Sequence, residues 1–150
     1  MRTLFVLGRA MFGGFFVYNG INHFLQLHDM SRYAAAKNVP QPQSAVRSTG
    51  AMLLGGGISV IVGLKPRQGL LTLLAFLVPT TLQMHRFWEV DDPQRRTIEM
   101  TQFAKNVALI GAALALLQVD EPWPASIDST RVDEEMFVRL GGRELRGLPA

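Results

Sequence analysis

Four stretches of this chain, residues 10–27, 48–64, 69–84 and 106–119, contain no lysine, arginine, aspartate or glutamate and consist mostly of apolar side chains. Charged residues make up 18% of the whole, so the averages conceal a strong segregation. Each stretch is somewhat short of the roughly 20 residues that span hydrocarbon as a helix. The first extends backwards through Leu4-Phe5-Val6-Leu7 if Arg9 is taken into the helix. The third gains Arg86-Phe87-Trp88, where Trp88 suits the headgroup belt, and the fourth begins near Phe103 if Lys105 snorkels. A soluble four-helix bundle would show an apolar stripe and a charged face on each helix. Residues 51–64 and 70–82 have no charged face, being apolar or Gly, Ser, Thr and Pro all round. A chain of 150 residues cannot bury four such helices in its own interior. The expected fold is therefore all-α, an antiparallel bundle of four transmembrane helices at about 3–25, 45–64, 69–88 and 102–119, in a lipid bilayer.

The first segment is read as a retained helix rather than a cleaved leader. Arg9 interrupts its apolar run, and Tyr18-Asn19-Gly20-Ile21-Asn22-His23 offers no small-x-small cleavage pattern. The connection 27–44 reads as extended and turn-prone around Val39-Pro40-Gln41-Pro42. Lys65-Pro66-Arg67-Gln68 is tight enough to make a helical hairpin, and Asp91-Asp92-Pro93 reads as a turn or helix N-cap. Small residues mark expected packing stripes: Ala51, Gly55, Ser59 and Gly63; Gly111 and Ala115; Ala10 and Gly14. Pro79 should kink its helix, with Thr80 and Thr81 available to freed carbonyls. From Asp120 the composition turns polar, and 120–150 is expected to be a mobile cytoplasmic tail in which Val132, Met136 and Leu140 allow a short amphipathic helix.

With both termini in the cytoplasm, Lys and Arg outside the helices divide seven inside against five outside, which favours that orientation slightly. The net charge of +3 is scattered over loops, helix ends and tail, without a basic stripe interleaved with aromatics, so nucleic acid is not an expected partner. The absence of cysteine excludes disulfides, thiol nucleophiles and thiolate metal or iron–sulfur sites from this chain. No metal site is expected.

Polar side chains inside spans are costly and mark functional candidates. An up-down bundle brings the end of the first helix, the start of the second, the end of the third and the start of the fourth to one side of the membrane. Asn19, Asn22 and His23, then Arg47 and Ser48, then Gln83, His85 and Arg86, then Gln102, Lys105 and Asn106 all converge there. Glu89, Asp91, Asp92 and Glu99 are the acidic partners available to the cations. Arg9 lies about 21 Å below His23 at about 1.5 Å per residue, either as an inward buried charge or as an interfacial snorkeller. Two histidines on different helices could ligate haem axially, but histidines near helix ends are common interfacial residues, and haem is not expected. Asn19, His23, His85, Lys105 and Asn106 suit a quinone headgroup or an anionic substrate, and suit equally an interhelical hydrogen-bond network that fixes the bundle.

The order of several segments resembles the DoxX family of small bacterial integral membrane proteins. Leu7-Gly8-Arg9, Phe15-Phe16 and Gly20-Ile21-Asn22-His23 are similar to its first helix. Asn38-Val39-Pro40, Thr49-Gly50 and Leu54-Gly55-Gly56 are similar to its second block, and Phe76-Leu77-Val78-Pro79-Thr80 with His85-Arg86-Phe87-Trp88 to its third. Gln102-Phe103-Ala104-Lys105-Asn106 followed by Leu109-Ile110-Gly111 is the most telling. The resemblance spans about 4–117 and does not reach the tail. It implies four transmembrane helices in the bacterial inner membrane, and it maps the family's recurring polar positions to Arg9, His23, His85, Lys105 and Asn106. It also implies a role as a non-catalytic or quinone-interacting subunit of a membrane redox or oxidative-stress complex, with a membrane or soluble redox enzyme as partner. A small-molecule carrier and a membrane anchor without chemistry are the alternatives, and a homo-oligomer is left open.

Overall fold

In the computed structural model, residues 2–127 are described, and they form five α-helices joined by short turns. The helices are α1 (Arg2–Leu25), α2 (Leu27–Ala36), α3 (Pro42–Val62), α4 (Pro66–Met84) and α5 (Pro93–Leu116), with a 3₁₀ turn at Phe87–Glu89. Two of them, α1 and α3, are long and apolar enough to cross a membrane by length and composition.

The turns form where proline and left-handed residues direct them. Gly63 (φ 69°) and Lys65 (φ 46°) are both left-handed, and Pro66 opens α4, which closes the expected hairpin. Asp92 caps α5, its carboxylate accepting the Arg95 backbone N–H at 2.7 Å, with Pro93 in the first helical position. That cap starts α5 nine residues before the expected 102, because a capped polar turn propagates before the apolar run begins. In α4, Thr81 Oγ1 donates to the Leu77 carbonyl at 2.6 Å, while the Thr80 hydroxyl makes no such bond among the described residues.

The connection 27–44 is not extended throughout. It contains α2, whose Leu27, Met30 and Ala34 face inward at helical spacing while His28, Asp29 and Arg32 are exposed. The helices pack in the order α1–α3–α4–α5, with α2 resting on α3. Phe16, Leu53, Val60, Leu70, Leu73 and Leu77 form the core. The outer faces are apolar as well: Leu4, Met11 and Leu25 on α1 are 75–77% exposed, and Leu71, Leu82, Val107 and Leu114 are about half exposed. Such a distribution is the reverse of a soluble amphipathic helix and is what a lipid-facing surface requires.

Glycines bring α1 and α3 into backbone contact, but not on the expected stripes. A methyl group at Gly13 would stand 2.7 Å from the Gly57 carbonyl, and one at Gly20 would stand 2.9 Å from the Leu54 nitrogen. Gly56 similarly admits Leu73 of α4. Gly14, Gly55 and Gly111, which the small-residue spacing had singled out, have open space at the same position. The i, i+4 pattern identified small residues on the right helices but mostly on the wrong face.

The polar region does not separate from the bundle at 120. Trp123 is 1% exposed and sits edge-on to Phe5 with centroids 5.3 Å apart. Glu121 accepts the Arg67 backbone N–H at 3.0 Å, at the start of α4. Residues 119–127 therefore form a strap across the α1–α4 end, against the expectation of a tail beginning at 120. The proposed amphipathic helix through Val132, Met136 and Leu140 lies outside the described residues.

Candidate functional site

A cavity of about 420 Å³ opens at the end where α1 and α4 finish and α3 and α5 start. Its walls are mainly apolar, with Phe15, Phe16, Val46, Leu53, Phe76 and Leu77 among them. Asn19, His23, His85, Lys105 and Asn106 all line it, as does Gln83. Asn22, Arg47, Ser48, Arg86 and Gln102, which share the same end, do not.

The lining side chains are held in different ways. Asn19 Nδ2 donates to the Phe15 carbonyl at 2.7 Å, and His23 Nδ1 donates to the Asn19 carbonyl at 2.8 Å, so both are pinned to their own helix. Lys105 Nζ donates to Gln102 Oε1 at 2.6 Å and lies 5.7 Å from the centroid of the Phe15 ring on α1. Asn106 is 7% exposed, and its amide has no hydrogen-bond partner among the described residues. The amide atoms themselves are not sealed in, the fully buried unpartnered side-chain atoms among the described residues being those of Arg9, so Asn106 presents unused donors to the cavity it lines.

The second tier is built around Glu99. Its Oε2 accepts His85 Nδ1 at 2.8 Å, and its Oε1 accepts Lys37 Nζ at 3.1 Å and the Tyr33 hydroxyl at 3.4 Å. One carboxylate thus joins the ends of α2 and α4 to α5 and sets the His85 ring. Gln83 reinforces the junction, donating to the Lys37 carbonyl at 2.8 Å and accepting Arg86 Nη2 at 2.7 Å. Burial pushes the Glu99 carboxyl up, but the hydrogen bonds and charges of His85 and Lys37 outweigh it and hold the group below its ordinary 4.5. Burial, then the charge and hydrogen bond of Glu99, raise the Tyr33 phenol, with Arg95 opposing.

A carboxylate lowered in the folded state stabilises the fold above its unfolded value and loses that contribution as pH falls through the folded one. Thermal unfolding of the detergent-solubilised protein from about pH 7 to about pH 3 should therefore show an acid-side loss of stability beginning near 4.5, absent from Glu99→Gln. An identical acid limb in wild type and variant would contradict the junction.

Sequence reading named Glu99 only as an available acid and missed α2 altogether, so Met30, Tyr33 and Ala34 were not foreseen as walls. The Leu27, Met30, Ala34 spacing was the signal for them.

Arg9 belongs to the other end. It is 3% exposed, which settles it as an inward buried charge and not a snorkeller. Nη2 donates to the Ala125 carbonyl, the guanidinium carbon lies 6.0 Å from the Trp123 ring centroid, and Nε and Nη1 have no partner among the described residues. Its face on α1 also carries Gly13, Phe16 and Gly20, the buried residues of that helix.

Helices apolar on their outer faces, packed around a mainly apolar cavity with a few polar side chains at one end, define a small helical protein of the membrane class. The model of the DoxX family matches residues 4–86, and the chain belongs to that membrane-associated family. The matched region carries Arg9, Asn19, His23 and His85, and ends before Lys105 and Asn106. No curated protein and no solved structure matches the chain.

Proposed function

We propose that this DoxX-family chain is a quinone-interacting subunit of a membrane redox or oxidative-stress complex, the headgroup lying among His23, His85, Lys105 and Asn106. In this reading α1, α3, α4 and the part of α5 from about 102 onward span the bacterial plasma membrane, while α2 and the first turns of α5, with Glu99, lie at the interface. Both termini are cytoplasmic, the tail continuing there beyond the strap.

The observation that carries the reading is the unpartnered Asn106 amide, on a residue only 7% exposed, that opens on an apolar-walled cavity of about 420 Å³. That volume falls in the range of about 300–1,000 Å³ typical of small-molecule sites, and a few polar groups among apolar walls is their usual composition. A quinone headgroup offers a carbonyl oxygen to Lys105 and Asn106 and an apolar ring to Phe15 and Phe76, while its tail can leave into lipid. The chain has no thiol to oxidise, so a redox role requires a bound molecule or a partner.

Solvent extraction and mass spectrometry of the detergent-purified protein should find a quinone with the wild type, reduced at least about fivefold in His85→Ala and in Lys105→Ala, in line with losing one charged or buried hydrogen bond. Equal quinone content in wild type and both variants would reject this site.

A further inference from the structure

Resting on the quinone reading, we propose that the cavity selects the reduced, hydroxyl-bearing hydroquinone over the oxidised dicarbonyl form. The observation is how two α1 side chains are pinned. His23 Nδ1 lies 2.8 Å from the Asn19 backbone oxygen. A carbonyl can only accept, so Nδ1 carries the hydrogen and the neutral ring keeps a lone pair at Nε2. Asn19 is set the same way one turn earlier: Nδ2 donates to the Phe15 carbonyl at 2.7 Å, which orients the amide and leaves Oδ1 as an acceptor without a partner among the described residues. Both residues line the cavity, so its α1 wall offers an acceptor at His23, and at Asn19 an acceptor together with the second amide N–H.

The α5 residues Lys105 and Asn106 supply donors to the same space. A hydroquinone oxygen both donates and accepts, and so satisfies either wall. A quinone carbonyl only accepts. It pairs with Lys105 and Asn106, and it can accept from the second N–H of Asn19, but at His23 Nε2 it sets lone pair against lone pair. His85 does not discriminate in this way, because its Nδ1 faces the Glu99 carboxylate at 2.8 Å, which pairs with either protonation state of the ring. His23 has no carboxylate partner among the described residues. The preference therefore rests on His23.

The test is anaerobic titration of the purified full chain with decylubiquinone and, separately, with the same compound reduced by dithionite. The reduced form should bind about tenfold tighter, the size of one mismatched buried hydrogen bond. His23→Leu should bring the two affinities within about twofold. His23→Gln, whose amide can present either its oxygen or its nitrogen, should keep binding with the preference largely gone, and it carries the test if the leucine variant does not fold. Equal affinities in the wild type, or tighter binding of the oxidised form, would overturn the selectivity while leaving the quinone reading intact. Binding of neither form would overturn both. A full preference retained by a folded His23 variant would overturn the assignment to His23.

Discussion

Gly57→Leu is expected to separate α1 from α3 and prevent recovery of folded protein, while Gly55→Ala, two residues away, is expected to leave stability unchanged or slightly raised. A first side-chain carbon at Gly57 would stand 2.8 Å from the Gly13 carbonyl and 3.0 Å from the Val17 nitrogen. Both are backbone atoms, held by the hydrogen bonds of α1, and cannot rotate away. Overfilling a packed contact costs about 1–3 kcal/mol when side chains can adjust. Gly57→Ala should therefore cost at least about 2 kcal/mol, and the branched, longer leucine should exceed what a marginally stable fold tolerates. Gly14, Gly55 and Gly111 have open space where a methyl would go, and alanine there gains up to about 1 kcal/mol of helix propensity. Thermal unfolding in detergent, followed by circular dichroism, separates the two groups. Gly57→Ala and Gly55→Ala behaving alike would show that the seam is placed on the wrong face.

Trp123→Ala is expected to lower stability by about 3 kcal/mol or more, the scale for removing a buried aromatic side chain. Trp123 is 1% exposed, packs edge-on against Phe5 and lies beside the Arg9 guanidinium. Removing it opens a cavity and loosens the strap that brings the Ala125 carbonyl to Arg9. Arg9 would then keep its charge in the interior with fewer partners still, a costly arrangement. Proteolysis offers an independent reading: the strap at 119–127 should resist cleavage in the wild type and become accessible in Trp123→Ala. Unchanged melting and unchanged cleavage would contradict the strap.

The sequence revealed the helices well where one signal dominated. Charge-free runs located α1, α3, α4 and the second half of α5, but α4 begins at Pro66 and α5 at Pro93, ahead of the expected 69 and 102. The convergence of Asn19, His23, His85, Lys105 and Asn106 followed from up-down connectivity alone, because alternation fixes which helix ends meet. What escaped depended on rotation or on long-range pairing. Spacing finds small residues but not which way they face, so Gly55 was preferred to Gly57. The α2 stripe of Leu27, Met30 and Ala34 is short and sits beside a Pro-rich turn, which dominated the reading. Trp123 lies between two prolines in a polar stretch, and only its distant contact with Phe5 explains its burial. Glu99 stood in a run of charges, and nothing local distinguished it as the one acid joining α2, α4 and α5.

Labelling with a photoreactive benzoquinone tests the proposed headgroup site between α1, α4 and α5 most directly. Illumination of membranes containing the full chain, followed by peptide mapping, should place adducts on residues 15–23, 76–85 and 103–106, with labelling suppressed by excess decylubiquinone. Adducts confined to the outward faces around Met11, Leu71 or Leu114, or labelling that excess quinone does not reduce, would contradict it.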